Sequence, residues 1–304
     1  MSVLLLFLDG LGLGPMCDTN PFSITDAPFL VNLLGGSLVE STCVSSDNIV
    51  LNPVDACLDV PGLPQSATGQ TALFTGINAA AYLGYHLPAF PNTALKKIID
   101  QNALLKRVVD AGGTATFANA YTPAYFELVR EGRRVHSVTT LSVYAADLPF
   151  LSDQDMMAGR AVYWDITRRR FPNSSHPPVS PIDPREAGKH LAAIAARHDL
   201  TVFECFLSDL IGHRKDRGEA VRFIGILDRF LAGILPDLPS HCTLVLSSDH
   251  GNIEDLSCSV HTHNPVPLLA VGPAAGHFAA ARSITDITPS VLHALGIEDR
   301  EGKE

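Results

Sequence analysis

Three short apolar runs, far apart in the chain, each break on an aspartate. Leu4 to Leu8 runs into Asp9, Phe203 to Ser208 into Asp209, and Leu244 to Ser248 into Asp249 with His250 next. The runs are continuous rather than alternating, which is the pattern of strands covered on both faces of a parallel sheet. On this basis Val3–Leu8, Thr114–Ala118, Thr201–Leu207, Thr243–Ser247 and Val266–Val271 are the predicted strands. Amphipathic stretches between them predict helices over Asp26–Leu34, Asn102–Ala111, Glu186–Arg197, Glu219–Leu235 and Ile287–Leu295. Asp26 and Asn102 are the candidate caps, and Gly35-Gly36 and Gly112-Gly113 the stops. Strands alternating with helices predict a doubly wound α/β fold, its sheet mostly parallel with helices on both faces.

With 304 residues the chain has ample material for a core. It reads as one domain, 1–304, with a small cap insertion at about 121–185, where Arg, aromatic residues and Pro are concentrated. Lys plus Arg number 22 against 32 for Asp plus Glu, a net charge of −10 that disfavours nucleic acid and anionic membrane surfaces as partners. Val3–Leu8 is too short for a signal sequence, lacks a basic segment before it and is interrupted by Asp9, so a cytoplasmic location is expected. The six cysteines lack CxxC spacing and are expected to be mostly buried small hydrophobes.

In an open α/β sheet, ligands bind beyond the carboxyl ends of the strands. A single aspartate there is ordinarily a turn former or helix cap. Three of them, with His213 four residues after Asp209 and His250 beside Asp249, would repel one another unless cations held them. Metal binding is therefore expected. His261 and His263 precede the Val266–Val271 run and, as alternate residues of a stiff loop, either or both are able to face the site. Ser66, in Pro64-Gln65-Ser66-Ala67-Thr68-Gly69, stands at a predicted loop-to-helix junction whose free N–H groups suit an oxyanion or phosphate. It is the candidate nucleophile. No G-x-S-x-G elbow or phosphate-binding P-loop occurs, and Gly10, Gly12 and Gly14 have the wrong spacing for a dinucleotide fingerprint.

Four blocks, Leu8-Asp9-Gly10-Leu11-Gly12, Gln65-Ser66-Ala67-Thr68-Gly69, Asp209-Leu210-Ile211-Gly212-His213 and Asp249-His250-Gly251-Asn252, follow one another in a familiar order. A fifth is His261-Thr262-His263-Asn264-Pro265-Val266-Pro267. Together they make the chain resemble the alkaline phosphatase superfamily, and within it the branch of cofactor-independent phosphoglycerate mutase and phosphopentomutase. The resemblance implies an alkaline phosphatase-like core and two divalent metal ions, Mn or Zn. Asp209, His213 and His261 would hold one ion. Asp9, Asp249 and His250 would hold the other, with Ser66 as nucleophile and ligand.

It further implies attack by Ser66 on a small phosphorylated substrate, giving a phosphoserine whose phosphoryl group passes to water or a second hydroxyl. The departures matter as much. Gln70 stands where the mutase pattern has histidine, Gln65 replaces its asparagine, and little beyond 121–185 remains for a substrate domain. Arg130, Arg133, Arg134 and Arg168 to Arg170 are the candidate grips of such a cap, and Asn78 and Asn92 candidate phosphate contacts. The leading expectation is a two-metal phosphoester hydrolase, phosphatase or phosphodiesterase, with a phosphomutase as the alternative. A sulfatase is disfavoured because no C/S-x-P-x-R context surrounds Ser66.

Overall fold

The computed structural model describes residues 1–172 and 179–298. Pro177 and Pro178 of the proline-rich stretch, and the polar end past Glu298, lie outside the described residues. The strands are β1 (Ser2–Leu8), β2 (Val44–Ser45), β3 (Ile49–Val54), β4 (Ala115–Phe117), β5 (Ala120–Tyr121), β6 (Leu151–Ser152), β7 (Leu200–Cys205), β8 (Cys242–Ser247) and β9 (Val266–Val271). Seven of them form one sheet in the order β2-β3-β9-β8-β1-β7-β4, and β5 and β6 pair separately. β8, β1, β7 and β4 run parallel, which is the core of the expected doubly wound α/β architecture.

β1 shows why an uninterrupted apolar run belongs at the centre. Its side chains alternate between two buried clusters, Val3, Leu5 and Phe7 joining one and Leu4, Leu6 and Leu8 the other. A strand covered on both faces has no polar side to display. On the first face Phe7 meets Phe74 of the Ser66–Thr75 helix edge to face, ring centroids 5.3 Å apart. On the second lie the helices Pro184–Ala195 and Arg217–Ile234. Leu6 is fully buried, and Leu6→Ala is expected to destabilise the protein by about 2–5 kcal/mol, read as a lower urea midpoint with unchanged slope.

Several sequence expectations need correction. β9 is fully embedded but runs antiparallel to β8, so its apolar run marks burial and not strand direction. β3, antiparallel to β9, carries Asn52 and Pro53, which obscure the apolar signal. Asn102 caps nothing: it ends the Thr93–Asn102 helix, and Leu104–Asp110 follows after Ala103. The first of the predicted helices starts at Pro28, capped by Ala27 and not Asp26. Only Cys205 and Cys242 are buried among six free thiols, and Cys17 and Cys43 are exposed.

The described part of the 121–185 segment contains the helices Pro123–Arg130, Val138–Ala145 and Asp153–Met157, and the Pro184–Ala195 helix begins at its end. Of these, Val138–Ala145 buries Val138 and Val143 in the cluster shared with β1. No described helix is long and apolar enough to cross a membrane.

Candidate metal centre and the cavity beside it

Asp9 follows β1 directly, Asp249 follows β8, and Asp209 lies in the first turn of the Leu207–Arg214 helix after β7. Because β8, β1 and β7 are neighbours, the three carboxylates arrive side by side at one edge of the sheet. His213, one helical turn after Asp209, shares its face, and its Nε2 lies 3.3 Å from Asp209 Oδ1. His261 Nε2 is 3.3 Å from His213 Nε2 and 3.5 Å from Asp209 Oδ1. Three donor atoms thus face a common point.

His250 Nε2 stands 3.4 Å from both Asp9 Oδ1 and Asp249 Oδ2 and 3.1 Å from Ser66 Oγ. The His250 and His261 rings stack 3.7 Å apart, so the two donor groups adjoin. All seven residues expected from the sequence, Asp9, Ser66, Asp209, His213, Asp249, His250 and His261, are therefore brought together. His263 is not among them: its Nδ1 lies 3.6 Å from Cys57 Sγ. Asn78 and Asn92 are helix caps, accepting from Ala81 and Leu95 N–H, and play no part in the cavity.

The imidazoles are aimed by their other nitrogens. His261 Nδ1 bonds the Pro64 carbonyl at 2.8 Å and His213 Nδ1 the Ser259 carbonyl at 2.9 Å, leaving each Nε2 free to coordinate. Gln70 donates to Asp9 Oδ2 at 3.1 Å, and Asn252 donates to Asp209 Oδ1 at 2.7 Å. Gln70, the departure noted above, thus orients a carboxylate. The Ser66–Thr75 helix can approach this closely because of Gly69, where a Cβ would stand 2.6 Å from the Asp249 carbonyl oxygen.

Glu254, which sequence reasoning passed over, ties the loops together. It is buried and accepts from Gly12 N at 3.0 Å, Asn252 N at 2.7 Å and Asn264 Nδ2 at 3.0 Å, and also from Thr262 Oγ1. Its position four residues after His250 in the same loop was the available signal. Glu254→Ala strands these donors and is expected to cost about 3 kcal/mol or more. The expected readout is a lowered urea midpoint together with weaker metal retention on dialysis.

The electrostatics fit a cationic occupant. Burial pushes the Asp9 carboxyl well up, reinforced by Asp249 and Asp209. Burial and then Asp209 push Asp249 up to about 7. His250 is pushed down to about 3 by burial and by His261, so it is a neutral donor at ordinary pH. Burial also opposes ionisation of Asp209, but the His261 and Asn252 hydrogen bonds outweigh it and bring the group to about 2. Asp9 Oδ1 and Asp249 Oδ2 are buried without a hydrogen-bond partner. Two orphaned carboxylate oxygens converging on a neutral imidazole nitrogen form a donor set that a divalent ion satisfies.

A cavity of about 450 Å³ opens from Asp9, Ser66, Gln70 and Asp209 toward the 121–185 segment. That segment contributes Tyr121, Tyr125, Arg134, Thr140, Tyr163 and Trp164 to the lining. Of the six arginines expected to grip substrate, only Arg134 lines the cavity. Arg133 pairs with Glu131, Arg168 donates to the Met156 carbonyl and Arg170 pairs with Glu219.

A doubly wound sheet carrying carboxylate and imidazole donors at its carboxyl edge, with the Ser66 hydroxyl at a helix start beside His250, makes a candidate metal centre. The comparisons agree. Residues 183–299 match the Metalloenzyme superfamily. The chain is 35% identical over 111 residues to the 2,3-bisphosphoglycerate-independent phosphoglycerate mutase of Halobacterium salinarum, covering 33% of this chain and 22% of that protein. Against the mutase of the same name from Cereibacter sphaeroides it is 26% identical over 257 residues, covering 81% and 46%.

The chain thus spans less than half the length of these curated relatives. A cold-active alkaline phosphatase from a psychrophilic Shewanella species superposes with TM-score 0.60 at 11% identity, over 97% of this chain and 100% of that one. The Leishmania mexicana phosphoglycerate mutase gives 0.53 at 13% identity, over 100% and 96%. The chain is thus similar over residues 183–299 to the Metalloenzyme superfamily, and it shares the fold of these solved structures.

Proposed function

We propose that the chain is a phosphoester hydrolase dependent on two divalent ions, Mn or Zn, with Ser66 as nucleophile. The supporting observation is the placement of Ser66 Oγ, 3.1 Å from His250 Nε2 at the start of a helix and on the wall of the cavity. Asp209, His213 and His261 would hold one ion, and Asp9, Asp249 and His250 the other, with Ser66 beside them. Such ions, when bound, supply Lewis-acid charge that favours the serine alkoxide and offsets the charge of the phosphoryl group.

The protein's own contribution is orientation. Ser66 is the first residue of its helix, so the N–H groups of the first turn point out of the helix end toward any phosphoryl oxygens placed there. Ser66 Oγ loses its proton to solvent and bonds to phosphorus as the bond to the departing alcohol oxygen breaks, that oxygen taking up a proton; water then displaces Ser66, which regains a proton as phosphate is released. The 121–185 segment acts as the substrate-covering part of a single-domain chain.

The mutase reading is favoured by the relatives' names, but retaining a phosphoglycerate, with both a carboxylate and a phosphate, while its phosphoryl group moves calls for several cations. The cavity offers Arg134 alone among the described residues. The test is turnover by Mn- or Zn-loaded protein of p-nitrophenyl phosphate and its diester, beside a 3-phosphoglycerate isomerisation assay. Metal-dependent release of nitrophenol supports the hydrolase. Isomerisation without phosphate release overturns it.

A further inference from the structure

The cavity holds an acidic side chain that the chemistry above leaves unused. Glu204, near the end of β7, is buried with 7% exposure and lines the cavity together with Ser66. Its backbone is bracketed by Asn119, which accepts from Glu204 N at 2.8 Å and donates to its carbonyl at 2.7 Å. Thr139 Oγ1 donates to Oε2 at 2.8 Å. No described cation pairs with the carboxylate. Burying a carboxylate is costly unless a positive partner or several donors compensate it, and one hydroxyl is slender compensation.

The surrounding walls are aromatic: Phe117, Tyr121, Tyr125, Trp164 and Phe206 all face this cavity. Trp164 and Phe206 stack at 4.0 Å, and Tyr121 and Tyr125 pack edge to face at 4.9 Å. Arg134, exposed at the mouth, places its guanidinium 5.3 Å from the Tyr125 ring centroid, so one wall already takes a cation from the solvent side. Aromatic faces around an unpaired carboxylate are the chemistry that recognises an ammonium group. A carboxylate or second phosphate in the same space would meet Glu204 instead.

We propose that Glu204 and the aromatic walls form a specificity subsite for the alcohol part of the substrate, and that this alcohol carries an ammonium group. The natural substrate class is then a phosphate monoester of an amino alcohol. This rests on the phosphoester reading given above. Glu204 is a binding residue here and takes no part in bond breaking.

The test uses the whole 304-residue chain loaded with Mn. Phosphoethanolamine and phosphocholine are compared with glycerol 3-phosphate, 3-phosphoglycerate and adenosine monophosphate, and p-nitrophenyl phosphate serves as the independent measure of hydrolysis. The ammonium esters are expected to exceed glycerol 3-phosphate in kcat/KM by roughly thirty-fold or more, and Glu204→Gln to collapse that ratio to within about threefold. Calorimetric binding of phosphoethanolamine and glycerol 3-phosphate to Ser66→Ala protein should show the same preference without turnover. Preference for glycerol 3-phosphate, 3-phosphoglycerate or the nucleotide overturns the proposal, as does a ratio that Glu204→Gln leaves intact. If p-nitrophenyl phosphate is also inert, the hydrolase reading fails by itself, and the calorimetric preference still decides the subsite.

Discussion

Ser66→Ala is expected to lower metal-dependent ester turnover by about 10³-fold or more while leaving bound metal intact. The first half follows from position. Ser66 is the hydroxyl at the wall of the cavity that also adjoins the Asp9–Asp249–His250 group, 3.1 Å from His250. The second follows from the donor count: Asp9, Asp249 and His250 persist on one side, and Asp209, His213 and His261 on the other. Metal content by elemental analysis and turnover on one preparation give the comparison. A second readout is the phosphorylated species, which mass spectrometry of acid-quenched wild-type protein should locate on Ser66. Turnover in the variant within tenfold of wild type would mean that water attacks the ester directly, and the phosphoserine route would be abandoned.

Asp249→Asn is expected to abolish activity and yet, in metal-free protein at pH 8, to raise stability by about 1–3 kcal/mol. Asp249 is fully buried, and burial and Asp209 hold its carboxyl up to about 7, far above an unfolded aspartate. A group that binds its proton more tightly in the folded state contributes stability that is full below the unfolded value. That contribution is lost as pH rises through the folded value. Above pH 7 the folded protein must therefore carry an unpaired buried charge. The amide removes that penalty along with a metal donor.

Added Mn should then stabilise wild type strongly and the variant little, by mass action on the folded state. Thermal melts of both proteins at pH 8, with chelator and with Mn, make the comparison. A metal-free variant less stable than metal-free wild type would show that Asp249 serves the fold in its ionised form, against the role assigned here.

Much of this centre was legible because the strand-end aspartates have a chemical signature that survives without coordinates. An apolar run broken by a carboxylate is visible in Leu4–Asp9 and again in Leu244–Asp249. What failed depended on pairing. The apolar residues of β9 report burial equally well in either strand direction, and its antiparallel course is set by its partners β8 and β3. Glu204 escaped for a different reason. It lies inside the run Thr201–Leu207, whose apolar neighbours mask a single carboxylate. A glutamate in a strand covered on both faces was the sign that something occupies that face. Likewise Gln70 was noticed only as a missing histidine, whereas its amide has a task of its own on Asp9.

The order of strands in the sheet has a consequence for how the chain comes to life. β1 is followed in the sequence by almost two hundred residues before either of its neighbours, β7 and β8, has been made. Throughout that interval β1 has two open edges, and the face later covered by the Pro184–Ala195 and Arg217–Ile234 helices is bare, the condition in which strands recruit foreign partners. The donor groups are split in the same way, since Asp9 and Ser66 are synthesised long before Asp209, Asp249 and His261. No ion can be held until the last third of the chain has docked. On the two-metal reading proposed above, metal uptake would report the closing of the sheet.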